Sequence, residues 1–177
     1  MREIDFRNDL LPLKNKLFRV ALRITLDRPE AEDVVEDVLV KVWEQRETPE
    51  VQQVQNLEAY CLTMTRNLAL DRSQRHDSLN VSLDDAEHGH IATDHADNAP
   101  TPDQLLEKED RMRWVHILFN QLPEKQRTIL QLRDIEEHSY QEITDIMGIG
   151  ESDVKVTLFR ARQALKLLIE KSSHYGL

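Results

Sequence analysis

Along most of the chain apolar residues recur at spacings of three and four, the period of a helix that buries one face. A short helix is predicted over about residues 2–10, broken near Pro12, and a longer one follows with Leu13, Leu17, Ala21 and Ile24 on one side. Pro29 fits the first turn of the next helix, whose stripe of Ala31, Val34, Val35, Val38 and Val42 ends at Trp43. Asp33, Glu36 and Asp37 stand at i, i+3 and i+4 on another side, so this helix has an acidic flank. From about Leu57 to Gln74 a further helix turns Leu57, Cys61, Met64 and Leu68 inward and Arg66, Asn67 and Arg72 outward, with Arg75 just beyond.

The pattern then lapses. Gln74 to Leu105 holds two of the six prolines and four of the seven histidines, and it carries a net charge of −6 against −3 for residues 1–73 and −1 for residues 106–177. Such a stretch reads as a linker. His76, His88, His90 and His95 lie on no regular element with ligand geometry, so solvated chain is expected rather than a metal site, and no cofactor is expected.

Beyond the linker Thr101-Pro102-Asp103-Gln104 is a helix start in which Thr caps and Pro takes the first helical position. Met112, Val115, Leu118, Phe119 and Leu122 continue its apolar face, and Pro123 restarts the chain into a helix carrying Ile129, Leu132 and Ile135. Ser139-Tyr140-Gln141-Glu142 is a capping box that opens a short helix with Ile143, Ile146 and Met147, and Gly148 ends it. A small Thr144, Gly148 at a turn and Val154 six residues later have the spacing of a helix-turn-helix. The expected fold is therefore all-α: two small helical domains, 1–75 and 101–177, joined by a flexible acidic linker over 76–100, with the helix-turn-helix in the second.

Composition narrows the function. Four glycines leave almost no material for a phosphate-cradling loop, and the single cysteine, Cys61, makes neither an internal disulfide nor a paired-cysteine metal site, as expected of a reducing compartment. The start of the chain lacks the basic-then-apolar layout of a secretory signal, and a cytoplasmic protein is expected. A net charge of −10 argues against a protein that coats DNA by bulk electrostatics. Yet from Val154 to Ile169 the last helix carries Lys155, Arg160, Arg162 and Lys166 and no acid, a patch suited to a phosphate backbone. No motif sets a nucleophile, a base and an orienting group together, so no enzyme and no small-molecule substrate is expected. A standalone helix-turn-helix regulator accounts for the second half of the chain but leaves the patterns of the first unused.

Four stretches carry a resemblance over nearly the whole chain outside the linker. Residues 31–43 (Ala31-Glu32-Asp33-Val34-Val35-Glu36-Asp37-Val38-Leu39-Val40-Lys41-Val42-Trp43), 66–71 (Arg66-Asn67-Leu68-Ala69-Leu70-Asp71), 122–127 (Leu122-Pro123-Glu124-Lys125-Gln126-Arg127) and 159–165 (Phe159-Arg160-Ala161-Arg162-Gln163-Ala164-Leu165) resemble the extracytoplasmic function group of the sigma-70 family in order and spacing. The resemblance implies two helical domains, the second and fourth sigma regions, which join core RNA polymerase and read the −10 and −35 promoter elements. It implies core polymerase, through the β′ clamp coiled coil and the β flap, promoter DNA and an anti-sigma factor as partners.

By position, Asp33, Glu36, Asp37 and Trp43 are similar to the surface that docks on the clamp coiled coil, although an aromatic that ends an apolar stripe is ordinarily core. Tyr60, Arg66, Asn67 and Arg72 are similar to the −10 reader: an amide suits an unstacked base edge, an arginine a phosphate, and an aromatic a stacking platform. Tyr60 reads equally well as core. Lys155, Thr157, Phe159, Arg160 and Arg162 are similar to the −35 reader in the major groove. Three departures bear on that reader. Glu151 and Asp153 near the helix start suit its dipole but disfavour adjacent phosphate, and Val156 stands where the family often has a small polar residue.

Overall fold

The computed structural model describes residues 3–79 and 102–174, and among them every regular element is helical. A π-helical turn, Phe6–Leu10, and a 3-10 turn, Leu11–Leu13, lead into α1 (Lys14–Thr25), so Pro12 tightens the path without ending it. Then come α2 (Arg28–Glu44), a one-turn α3 (Pro49–Gln52) and α4 (Leu57–Leu79), which continues past the predicted domain edge at 75. The second unit contains α5 (Pro102–Asn120), α6 (Glu124–Leu130), a π-helical turn over Gln131–Ile135, α7 (Tyr140–Met147) and α8 (Glu151–His174). Most of the 76–100 linker, Thr101 and His88, His90 and His95 lie outside the described residues.

Helices α1, α2 and α4 pack on one another. The α2 stripe is buried as patterned, with Leu39 added to Ala31, Val34, Val35, Val38 and Val42. The Asp27 side chain caps this helix by accepting from the Glu30 N–H, and Asn56 caps α4 by accepting from the Ala59 N–H. The buried row of α4 is Cys61, Leu62, Thr65 and Ala69, turned by about one residue from the predicted one, since α4 is packed by α1, α2 and α7 together. Burial pushes the Cys61 thiol up to about 12, so it packs here as an inert apolar group.

In the second unit the helix-turn-helix forms as patterned. Both halves of the Ser139/Glu142 capping box are made, and Gly148 ends α7 at a φ of 65°, where its N–H donates to Thr144 O. Val154, Leu158 and Ala161 bury the inner face of α8. Ile135 departs from expectation and is exposed, because the π-helical turn takes an extra residue into its loop and rotates Ile135 outward while it turns Gln131 inward. Met112, expected on the apolar face of α5, is also exposed.

The two units touch through apolar packing, α4 against α7 and α1 against α6, and through a polar contact. Arg23, only 6% exposed, donates from Nε to Gln131 Oε1 (2.9 Å) and from Nη1 to Asn120 Oδ1 (3.1 Å), and its guanidinium lies 4.4 Å from the centre of the Phe119 ring. Arg127 Nε donates in turn to the Arg23 carbonyl. Arg19 grips Glu136 with two hydrogen bonds of 2.6 and 2.7 Å, and His138 Nε2 lies 3.3 Å from Glu58. Among the described residues no carboxylate pairs directly with the Arg23 guanidinium, so its burial, with Arg127 nearby, brings its pKa down to about 10. Its Nη2 stands 2.6 Å from His116 Nδ1, and since a guanidinium only donates, that nitrogen accepts and the imidazole is neutral. Burial, and then the Arg23 charge, hold the His116 pKa down to about 4.

Candidate functional site

The sequence places three groups of side chains on three helices, and the structure gives them three surfaces, of which those of α2 and α4 meet at Arg72. On α2 the outward row is Asp33, Glu36, Asp37, Val40 and Glu44, at helical spacings that put them side by side. Glu36 is exposed and has no ion pair among the described residues. Val40, 54% exposed, is an apolar spot inside this acidic row that sequence patterning assigns to neither face. Trp43 is 36% exposed, which corrects the expectation of a core residue. Its ring meets Phe6 edge-on, with centroids 5.6 Å apart, and Arg46 stacks on it at 4.1 Å. Trp43, Arg46, Glu47, Gln52 and the segment Glu3–Asp5 line a groove of about 570 Å³ beside the acidic row.

On α4, Tyr60 and Asn67 are two turns apart on one side, Tyr60 partly buried against the core and Asn67 exposed. Arg66 Nη1 donates to Asn67 Oδ1 at 3.4 Å, and the buried Arg66 Nε has no acceptor among the described residues. Arg72 does not stand free. It donates from Nη1 to Glu30 (3.1 Å) and from Nη2 to Asp37 (2.5 Å), with Asp33 3.7 Å away, so a predicted DNA contact is paired with two predicted partner contacts of α2. These bonds, that to Glu30 foremost, raise the guanidinium pKa.

On α8 the outward side presents Val156, Phe159, Arg160, Gln163 and Leu167, with Phe159 64% exposed. Thr157 is partly buried. The basic patch divides in two. Lys155 pairs with Glu151 at 2.6 Å and lies 5.3 Å from the Tyr140 ring centre, and Arg162 grips Asp134 through bonds of 3.0 and 2.5 Å, which raise its pKa. Arg160 and Lys166 have no ion pair among the described residues. What this patch offers an acidic partner is therefore smaller than its sequence count: among the described residues two of its four cations are unpaired, Arg160 next to the exposed Phe159 ring.

Sequence reasoning passed over Arg23, Asp134 and Glu136. Arg23 had a signal, since a cation between Leu22 and Ile24 in an apolar stripe requires buried partners. Asp134 and Glu136 had none, as their partners are distant in sequence. Among the described residues no helix is long and apolar enough to cross a membrane.

Comparison with known proteins agrees with this layout. The family profile for Sigma-70 region 2 matches residues 12–78, and that for Sigma-70, region 4 matches residues 112–165. The chain is 31% identical over 159 residues to the ECF RNA polymerase sigma factor SigL of Mycobacterium tuberculosis, covering 88% of this chain and 83% of that protein. It is 29% identical over 162 residues to the RNA polymerase sigma-H factor of Pseudomonas aeruginosa, covering 89% and 83%. Among solved structures it is similar to the sigma factor RpoE of Bartonella quintana in complex with the anti-sigma factor NepR, with a TM-score of 0.70 and 25% identity over 94% of this chain and 97% of that one. CnrH, solved with the cytosolic domain of CnrY, shares the fold at a TM-score of 0.61 and 17% identity, over 94% of this chain and 88% of that one.

Proposed function

The chain belongs to the sigma-70 family of RNA polymerase sigma factors, in its extracytoplasmic function group, and we propose that it divides the work of that family among the three surfaces described above. It is an initiation factor rather than an enzyme, and its partners are core RNA polymerase and promoter DNA. The α2 row of Asp33, Glu36 and Asp37, with Trp43 at its end, docks on a basic coiled coil of the polymerase β′ clamp, where fixed carboxylates steer the encounter and set register. Tyr60, Arg66 and Asn67 of α4 take the melted −10 strand: the ring supports a base, the amide reads its edge, and the end of the Arg66 guanidinium beside Asn67 meets a phosphate. Phe159, Arg160 and Thr157 of α8 enter the major groove at the −35 element, flanked by Lys155 and Arg162, and the second unit also meets the β flap. An anti-sigma factor as a further partner is supported by the likeness to RpoE in its complex with NepR. A cytoplasmic location follows from the same role.

The observation that carries this reading is the placement of an acidic helix face and a helix-turn-helix on two units of one chain, each matched by its own sigma-region profile. A standalone regulator requires only the second unit. The reading also sets a geometric requirement. Elements named for −10 and −35 lie about 25 base pairs apart, roughly 85 Å along B-form DNA. Two units joined by the packing of α1 on α6 and α4 on α7 and by the Arg23 and Arg19 hydrogen bonds cannot span that length, so this contact opens when both elements are read. Fully extended, the chain from residue 80 to 101 reaches roughly 75 Å, enough for the opening once the width of the units is added.

The test is transcription by core polymerase with this protein on templates whose −10 or −35 element is scrambled in turn. Initiation that falls with either change supports the division of labour. Initiation indifferent to both, or an absence of core binding alongside specific duplex binding, supports the standalone regulator.

A further inference from the structure

The resemblance gives Arg72 a place on DNA, but its surroundings point elsewhere. We propose that Arg72 is a positioning residue for polymerase docking: it holds Asp33 and Asp37 of α2 in the arrangement a basic partner helix meets, and it does not bind promoter phosphate. The proposal rests on the docking role given above to α2.

Glu30, Asp33 and Asp37 repeat at three and four along one side of α2, where like charges repel and side chains disperse. Arg72 reaches over from α4 and bridges the row with its two terminal nitrogens, Nη1 to Glu30 and Nη2 to Asp37, with Asp33 alongside. A planar fork does this where a lysine, a single point charge, does not. His76 Nε2 flanks the same group, 3.8 Å from Glu30.

The arrangement presents the acids rather than consuming them. The side chains of Asp33 and Asp37 remain 63% and 55% exposed while that of Arg72 is 26% exposed, so the carboxylates face outward and the cation lies behind them. Three carboxylates around one guanidinium leave a surplus of negative charge at this surface. A DNA phosphate that approached Arg72 would meet that surplus first and would have to displace two hydrogen bonds, whereas a basic helix is attracted by the same field. Arg72 thus ties the end of the −10 reading helix to the docking helix and acts through Asp37.

The test uses the full-length protein, with affinity for core polymerase and the salt dependence of promoter binding by preassembled holoenzyme as readouts. Arg72→Ala is expected to weaken core binding about two- to five-fold, the range of a partly exposed ion pair, and to leave the salt slope unchanged. In an Asp37→Asn background the same substitution is expected to cost much less, because its effect runs through that carboxylate. Arg72→Lys is expected to recover part of the loss. Unchanged core affinity with a salt slope reduced by about one would make Arg72 a phosphate contact and overturn the proposal. Equal losses from Arg72→Ala with and without Asp37→Asn would overturn it in favour of a purely structural pair. Asp37→Asn with no effect on core affinity would instead remove the α2 docking reading, and this role with it. Should Arg72→Ala fail to fold, Arg72→Lys carries the same cycle.

Discussion

The two helices proposed to read the promoter, α4 and α8, differ in how their cations are held. On α4, Arg72 is bound by carboxylates of the neighbouring helix, Arg66 is half-buried and the exposed Arg75 lies two turns beyond Asn67, so around Tyr60 and Asn67 the helix presents an amide, a partly buried ring and little free positive charge. On α8, Lys155 and Arg162 are also paired, but Arg160 has no ion pair among the described residues and lies beside an exposed Phe159. A surface poor in free cations suits bases already unstacked, where stacking and edge contacts give the affinity, and one with a free arginine suits duplex DNA. The difference also accounts for an acidic promoter reader: neither helix alone supplies the charge for tight DNA binding, and the two together gain from being held at once on the polymerase.

The largest effect tests the surface next to α4. Glu36→Arg reverses a carboxylate that has no partner among the described residues, so folding should be unaffected while core affinity falls by at least about 30-fold, as like charges meet across the interface. A binding titration with core polymerase checks this. Next, Arg160→Ala should cost about 10-fold in initiation at promoters that have a −35 element and nothing in core affinity, and equal use of promoters with and without that element would remove the assignment. A smaller gain is expected from releasing a paired cation: Asp134→Asn frees Arg162, and duplex binding by the holoenzyme should tighten about two- to three-fold, with a salt slope steeper by up to about one. If instead the slope is unchanged, Arg162 lies away from phosphate.

The smallest effect concerns the contact that joins the halves. His116 is held neutral there, its pKa brought down to about 4, so its contribution to closure is complete above about pH 6.5 and is lost as pH falls toward 4. His116→Gln keeps an acceptor for Arg23 and removes the titration, and should therefore open less than the parent protein as pH is lowered from 7 to 5 in small-angle scattering. Identical opening in both proteins would assign the pH response to other groups.

Local patterning was the most legible part of the fold. The α2 stripe, the capping box at Ser139 and the turn at Gly148 follow from spacing and backbone preference alone, and each forms as written. What escaped was set at a distance. Ile135 is turned out by a π-helical loop that no period predicts, and Trp43 is held at the surface by Phe6 and Arg46 rather than in the core. The α8 patch counted from sequence as four cations keeps only two unpaired, because Asp134 and Glu151 supply acids from outside the counted window. Arg23 meets Gln131 across 108 positions, beyond the reach of any local rule.

The central claim is that one chain carries two promoter readers that lie together when free and part to read both elements. It is tested most directly by the distance between a label on the exposed face of α2 and one on the outer end of α8, measured by pulsed spin resonance or energy transfer. The account predicts a short distance in the free protein and one longer by tens of ångströms, toward the roughly 85 Å between the elements, in the complex with polymerase and promoter. A distance that stays short while transcription still depends on both elements would contradict it.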